Sequence, residues 1–142
     1  MDIRRITDRY AVSPMIDPTD LPEIKAAGFT TVICNRPDAE IPPSHQAVAM
    51  RIATEAAGLK FADNPVTHAG LNEEMVMLQR DVLDDSEGPV LAYCASGTRS
   101  SIVWSLGQAG RMSADDILEA TAKAGYDLGG LRPRLEALAG EA

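Results

Sequence analysis

Short apolar runs alternate along this chain with longer segments in which apolar residues recur every three or four positions. The apolar runs are bounded by turn residues, which is typical of strands, and they predict strands at about residues 3–7, 9–12, 31–35, 60–64 and 90–93. The recurring pattern predicts a helix that begins at Asn72 and further helices at about residues 20–27, 44–57, 99–108, 113–124 and 131–138. Because strands separated by helices pair in parallel, we expect an α/β fold of three layers, a mostly parallel sheet flanked by helices.

Turn and capping residues indicate where these helices begin and end. A residue in the left-handed conformation commonly ends a helix, and glycines stand at three such places: Gly28, Gly58 and Gly125. Ser44 and Ser113 precede two helices as candidate N-caps, and Ser113 forms the capping-box pattern S-x-x-D with Asp116. In the helix that begins at Asn72, the pattern predicts one core-facing stripe: Met75, Leu78 and Val82.

The length and composition are those of one globular domain. The chain has 142 residues, of which 45% are hydrophobic. A chain of this length buries roughly 70% of its unfolded surface, so its core needs no disulfide or metal. We therefore expect one domain over residues 1–142, with its core at about 1–110 and C-terminal helices at about 113–139.

The charge and the apolar runs exclude several kinds of partner. With 13 Lys and Arg against 21 Asp and Glu, the net charge is −8, whereas a nucleic-acid partner normally requires a basic patch. No apolar run approaches the roughly 20 residues that span a bilayer, and the N-terminus is not of signal-peptide type. We expect a cytoplasmic protein with no nucleic-acid or membrane partner, and the sequence leaves its oligomeric state open. A small anionic substrate stays possible, because an acidic protein can still hold a locally positive site.

The strongest chemical signal is the segment YCASGTRSS, which begins at Tyr93. A predicted strand ends at Cys94, a small loop follows, and a helix begins directly after it. The N–H groups of such a loop and the positive end of a helix stabilise a thiolate, the nucleophilic form of cysteine; the alternative is a small core residue. Arg99 offers a planar fork for an oxyanion. We expect the rest of the anion site to come from five residues: Ala95, Ser96, Gly97, Thr98 and Ser100.

Other candidate residues lie at the same predicted edge of the sheet. Ligands of open α/β sheets bind beyond the carboxyl ends of the strands, so the loops after Asn35, Asn64 and Tyr93 are the ones that matter. Arg36 either binds the substrate anion or pairs with Asp38 to shape its turn. There is no C-x-x-C or H-x-x-x-H spacing and no glycine-rich nucleotide motif, so we expect no metal and no cofactor.

Five segments in the first 110 residues act together as a family signature: Tyr10–Ser13, Ala27–Phe29, Asn35–Asp38, Asn64–Val66 and Cys94–Ser101. Together they resemble the phosphatase-like domain of beta-lactamase-hydrolase-like bacterial proteins, which has the fold of protein tyrosine and dual-specificity phosphatases. The resemblance implies a parallel-rich sheet flanked by helices. It also implies that Cys94 attacks phosphorus as the nucleophile and that Arg99 holds the phosphoryl oxygens.

Two features depart from the tyrosine phosphatase pattern. The phosphatase signature has five residues between its cysteine and its arginine, but only four separate Cys94 from Arg99. This spacing is similar to the short loop of rhodaneses, C-x-x-G-x-[RST], whose cysteine carries a sulfane sulfur as a persulfide. The loop at residues 65–70, where the family's proton donor is expected, holds no Asp, and His68 is its only titratable residue. His68 is therefore either the general acid or an exposed loop residue, and Asp63, just upstream, is an alternative acid.

Three functions remain open on this basis. The first is a cysteine-dependent, phosphatase-like hydrolase, and the second is a rhodanese-like sulfurtransferase that carries a persulfide on Cys94. The third is a non-catalytic module that binds an anion or a partner. The substrate of either enzyme is a small phosphate or sulfur anion. Cys34 is either a buried apolar side chain or a resolving thiol for Cys94, an arrangement that some phosphatases of this fold resemble.

Overall fold

A five-stranded mixed sheet forms the centre of the computed structural model, which describes residues 1–67 and 71–141. The strands are β1 (Arg4–Arg5), β2 (Tyr10–Ser13), β3 (Thr31–Cys34), β4 (Lys60–Asp63) and β5 (Val90–Tyr93). Their order is β1-β2-β5-β3-β4. Every neighbouring pair is parallel except β1 and β2, which a short turn joins as an antiparallel pair. The predicted α/β fold with a mostly parallel sheet is confirmed.

Helices cover both faces of the sheet. They are α1 (Leu21–Ala26), α2 (Ala47–Ala56), α3 (Glu73–Asp85), α4 (Thr98–Gln108), α5 (Ala114–Lys123) and α6 (Arg132–Glu141). Side chains alternate between the two faces of a strand, so β5 contributes Ala92 to one core and Tyr93 to the other. The first core lies under α3–α6 and the second lies under α1 and α2.

The C-terminal helices share the first core with the sheet. Ile117 of α5 and Leu135 of α6 are buried in the same cluster as Val12 and Ile33 of the strands. Residues beyond the predicted core at 1–110 therefore pack directly on it. No helix among residues 1–67 and 71–141 combines the length and the apolar character needed to cross a membrane.

Two local predictions were wrong. Leu78 is 43% exposed, and the buried side chains of α3 are Gln79 and Leu83. Polar partners inside the core bury the Gln79 amide, which the apolar pattern could not show. Ser44 does not cap α2, because the Asp38 carboxylate accepts the hydrogen bond from the Ala47 N–H group, at 2.8 Å.

Candidate functional site

The three strand-end loops singled out in the sequence meet at one side chain, Arg99. Its guanidinium contacts Glu40, in the loop after β3, and the backbone carbonyl of Val66, in the loop after β4. The loop after β5 supplies Arg99 itself, at the start of α4. The parallel order β5-β3-β4 brings these loops together, since the strands end at the same edge of the sheet.

The Cys94 loop directs a backbone amide at the sulfur. The Gly97 N–H group donates to Cys94 Sγ at 3.1 Å. Gly97 has a φ of 92° and is the N-cap of α4, a left-handed conformation that glycine adopts without steric cost. The Cys94 side chain is fully buried beneath the loop. The sulfur thus lies at the N-terminus of α4, the positive end of the helix dipole.

Further amides of the loop make no hydrogen bond within residues 1–67 and 71–141. They are the N–H groups of Ala95, Ser96, Arg99 and Ser100. The first N–H groups of a helix lack intrahelical partners and are an established site for anions. These amides belong to the segment that directly follows Cys94, and they leave donors for an anion.

Glu40 sets the orientation of the Arg99 guanidinium. Its two carboxylate oxygens accept from Nη1 and Nη2 at 2.8 and 2.7 Å, and Nη1 also donates to the Val66 carbonyl at 2.9 Å. Because Nη1 is saturated, the Nε edge remains for another acceptor. The Glu40 carboxylate raises the pKa of Arg99, with a smaller contribution from Cys94 beside it, and Arg99 lowers the pKa of Glu40. Sequence reasoning missed Glu40, which lies 59 positions from Arg99 and shows no local signal.

Arg36 lies next to this pair, although its partner is not the predicted one. Its Nε atom lies 3.4 Å from the Glu40 carboxylate, and its Nη2 donates to the Glu40 backbone carbonyl at 3.3 Å. The Asp38 carboxylate binds the amide of Ala47 instead. Two guanidinium groups therefore share one carboxylate, and these three side chains together carry one net positive charge.

The hydroxyl groups of the loop divide into an exposed pair and a buried one. Ser96 is exposed, and its hydroxyl donates to the Thr98 hydroxyl at 2.9 Å. Ala95 is exposed as well. Ser100 is fully buried, and its hydroxyl donates to Asn35 Oδ1 at 2.9 Å, on the inner side of the loop. The Ser100 hydroxyl thus faces the interior, whereas its N–H group lies in the set of free amides.

A buried amide network supports the loop from below. The Gln79 side chain exchanges two hydrogen bonds with Asn35, accepts one from Asn64 and donates one to the Tyr10 hydroxyl, at 2.8–3.0 Å. The Tyr10 hydroxyl donates in turn to the Ser100 carbonyl at 2.8 Å. Burial is the main cause that raises the pKa of Tyr10, so its hydroxyl stays protonated and can donate. The network ties the ends of β3 and β4 to the first turn of α4.

The structure does not bring Cys34 to the Cys94 sulfur. Cys34 packs with Tyr93 in the core under α1 and α2, and its Sγ contacts the Arg36 carbonyl at 3.4 Å. Burial raises the pKa of Cys34. Both cysteines are free. This placement favours the interpretation of Cys34 as a buried apolar side chain.

The candidate general acid, His68, lies outside the described residues. Within residues 1–67 and 71–141, no group of three or more His, Cys, Asp or Glu side chains is arranged to hold a metal ion.

The chain is similar to proteins of one family in sequence. The family model "Beta-lactamase hydrolase-like protein, phosphatase-like domain" matches residues 2–111. The beta-lactamase hydrolase-like protein of Agrobacterium fabrum is 34% identical over 128 residues, which are 87% of this chain and 29% of that protein. The chain thus spans less than a third of the length of this relative.

Solved structures show the same similarity in three dimensions. A crystal structure described as that of a candidate phosphatase from Neisseria meningitidis has a TM-score of 0.82 at 34% identity, covering 97% of this chain and 99% of that one. TpbA from P. aeruginosa, crystallised in complex with pTyr, has a TM-score of 0.57 at 17% identity, covering 94% of this chain and 90% of that one. At this low identity, the second likeness shows the fold alone.

Proposed function

The chain belongs to the family of phosphatase-like domains of beta-lactamase hydrolase-like proteins, and on that premise we propose that it is a cysteine-dependent phosphatase acting on phosphate monoesters. The membership confirms the resemblance carried by the five sequence segments, and the structural neighbours support a phosphatase-like fold. The nucleophile, the mechanism and the substrate class are our proposal. One structural neighbour was crystallised with pTyr, which supports a phosphate ester as the substrate class.

One observation carries the proposal: the Gly97 amide donates to the Cys94 sulfur while Arg99 lies beside it in a fixed orientation. The amide and the helix N-terminus favour the thiolate. Arg99 is 7% exposed and held by Glu40, so its guanidinium is oriented before a substrate arrives. Hydrogen-bond donors oriented in advance stabilise the charge that develops on the transferring phosphoryl group.

The reaction takes place in two displacements. The Cys94 thiolate attacks phosphorus, an S–P bond forms, and the P–O bond to the leaving group breaks with its electron pair on the leaving oxygen. That oxygen takes a proton from a general acid, for which His68 is our candidate. Water then attacks phosphorus and gives a proton to the general acid, which was left deprotonated by the first step, and the S–P bond breaks with its electron pair on sulfur. Inorganic phosphate is released and the thiolate is restored.

The remaining residues of the site either bind the phosphoryl group or position the groups that bind it. We assign the N–H groups of Ala95, Ser96 and Ser100 to the phosphoryl oxygens, because they have no other acceptor among the described residues. The half-buried Thr98 supplies a hydroxyl that is assigned to the same anion. Arg36 shares Glu40 with Arg99, and we assign it to adding positive charge beside Arg99.

The Ser100 hydroxyl has a different role from the one expected in the sequence. It is bound to Asn35 in the interior, so we assign it to positioning of the loop.

A second function, sulfur transfer, is favoured by one observation, the four-residue spacing between Cys94 and Arg99. In that reaction the thiolate would take a sulfane sulfur from a donor such as thiosulfate, releasing sulfite, and would pass it to a nucleophilic acceptor. The relatives and the structural neighbours reported above favour the phosphatase.

Two assays on the purified protein separate these functions. We expect release of phosphate from an aryl phosphate, no transfer of sulfur from thiosulfate to cyanide, and loss of phosphate release in Cys94→Ser. Arg99→Lys should lower kcat/KM about 100-fold, because an ammonium group cannot reproduce the guanidinium fork. Cys34→Ala, which removes the other thiol, is the matched control and should retain turnover.

The opposite results would overturn the proposal. A stable mass gain of one sulfur atom on Cys94 without phosphate release would establish sulfur transfer. Phosphate release that persists in Cys94→Ser would remove Cys94 as the nucleophile.

A further inference from the structure

A tyrosine from the C-terminal part of the chain contacts the Cys94 loop. Tyr126 lies between α5 and α6, is 7% exposed, and donates from its hydroxyl to the Ser96 carbonyl at 2.9 Å. It lies beyond residues 2–111, the range that the family model matches. The connection between α5 and α6 therefore contributes a direct contact to the loop that follows Cys94.

The Ser96–Gly97 peptide group connects Tyr126 to Cys94. The C=O and N–H of a trans peptide point in opposite directions from one rigid plane. On one side the Ser96 carbonyl accepts from Tyr126, and on the other side the Gly97 N–H donates to Cys94 Sγ at 3.1 Å. Hydrogen bonds in such a chain polarise one another, so donation to the carbonyl makes the N–H a stronger donor.

We propose that Tyr126 is a positioning residue that, through the Ser96–Gly97 peptide, orients and polarises the amide that stabilises the Cys94 thiolate. The C-terminal helices would then regulate the reactivity of the sulfur without touching the substrate. The inference deepens the proposed function and rests on the role of Cys94 in it.

Tyr126 is itself held in place on both sides. The Arg4 guanidinium lies over the Tyr126 ring, 5.4 Å from the centroid of the ring. The Nη1 atom of Arg4 also donates to the Ala124 carbonyl at 3.3 Å. On the loop side, a Cβ atom at position 97 would overlap the Tyr126 hydroxyl. Glycine is thus required at position 97 for two reasons: the backbone has a positive φ there, and the Tyr126 hydroxyl occupies the space that a side chain would need.

Among the described residues, the other groups that face Cys94 are Arg99 from α4 and Tyr10 from β2. Arg99 carries a full charge, in contact with Glu40. Burial raises the pKa of both Tyr10 and Tyr126, so both hydroxyls stay protonated. Tyr10 donates to the Ser100 carbonyl rather than to the peptide that bonds the sulfur. Of the two tyrosines, it is therefore Tyr126 whose hydroxyl polarises the Gly97 N–H group, and removing that hydroxyl should weaken this donor.

The test measures how fast iodoacetamide alkylates Cys94 across a range of pH, with the modified peptide quantified by mass spectrometry. In Tyr126→Phe we expect the rate to fall about two- to four-fold on the acid limb, since cooperative strengthening is a modest fraction of a charge-assisted bond. The alkaline plateau should be unchanged, so the profile moves to higher pH. A purely structural role would lower the melting temperature without moving this profile.

Tyr93→Phe is the matched control. It removes a buried hydroxyl that lies beside Cys34, in the core on the other face of the sheet. We expect its profile to coincide with that of the unmodified protein.

Arg4→Met keeps the surface packing but removes the cation over Tyr126, and it should move the profile in the same direction by a smaller amount. This variant tests the inference even where Tyr126→Phe does not fold.

Superimposable profiles for Tyr126→Phe and the unmodified protein would overturn the inference. So would an equal displacement in Tyr93→Phe or, where Tyr126→Phe does not fold, no displacement in Arg4→Met. Alkylation needs no substrate, so a Tyr126-dependent profile in a protein that releases no phosphate would overturn the proposed function and leave this inference standing.

Discussion

Replacing Gln79 by Leu removes the centre of the buried amide network while keeping a side chain of similar volume. Gln79 is 2% exposed and makes four hydrogen bonds to Asn35, Asn64 and Tyr10. After the substitution, one N–H of the Asn35 amide and one N–H of the Asn64 amide lose their acceptor, the Gln79 Oε1 atom. Tyr10 keeps its bond to the Ser100 carbonyl.

The expected loss follows from these two orphaned donors. Each buried N–H without an acceptor costs about 2 kcal/mol, which gives about 4 kcal/mol for the pair. Leucine adds about 1 kcal/mol to the free energy of unfolding, because its side chain buries roughly one apolar group more than the methylene groups of glutamine. The free energy of unfolding should therefore fall by about 3 kcal/mol, and the melting temperature by about 9 °C at roughly 3 °C per kcal/mol for a chain of this size.

Calorimetry and urea titration of Gln79→Leu measure this loss. The matched control is Gln108→Leu at the end of α4, where the glutamine is only half-buried, and its stability should change by less than about 0.5 kcal/mol. A loss below about 1 kcal/mol in Gln79→Leu would refute the reasoning, since neither orphaned donor would then carry its desolvation cost.

Two further predictions concern charged groups. Glu40→Gln keeps one acceptor for Arg99 but loses the negative charge, so misorientation of the guanidinium should lower kcat/KM on an aryl phosphate about tenfold. The control is Glu55→Gln, which changes an exposed ion pair. An unchanged or higher kcat/KM in Glu40→Gln would contradict the positioning role of Glu40. Hydrogen bonds from the hydroxyl and the N–H group of Thr19 are the main causes that lower the pKa of Asp17 to about 2. The ionised Asp17 therefore stabilises the fold above the ordinary Asp pKa of about 3.9, and this stabilisation disappears as the pH falls through about 2. Urea midpoints of Asp17→Asn should therefore lie below those of the unmodified protein above about pH 4 and converge with them towards pH 2, whereas a gap that is constant with pH would disprove this.

Features that act over a few neighbouring residues could be predicted from the sequence. Asn72 and Ser113 cap α3 and α5 by accepting from amides three residues later, and the glycines at 28, 58 and 125 have positive φ after α1, α2 and α5. The Cys94 loop belongs to the same class, because a strand, a small loop with glycine and a helix follow one another directly. The position of the sulfur at the start of α4 follows from that order alone.

Contacts between distant residues depended on the tertiary structure. Nothing in the spacing of the 21 acidic residues distinguishes Glu40 as the partner of Arg99. Periodicity favoured Leu78 over Gln79, since it ranks a side chain by its own polarity and contains nothing about the amides that satisfy Gln79 in the core. The contact of Tyr126 with the loop is of this kind too.

The amino-acid sequence by itself determined the order of strands and helices, most helix ends, and the residues of the loop that surrounds the sulfur. The tertiary structure decided how Arg99 is oriented, which polar groups support the loop from below, and that Tyr126 reaches it from the C-terminal helices. The physical reason is the distance along the chain over which each kind of interaction acts. Backbone propensity, capping and apolar periodicity act within a few residues along the chain. The partner of a charge or a buried amide is chosen by distance in space, which exists only after the strands have paired and the helices have packed.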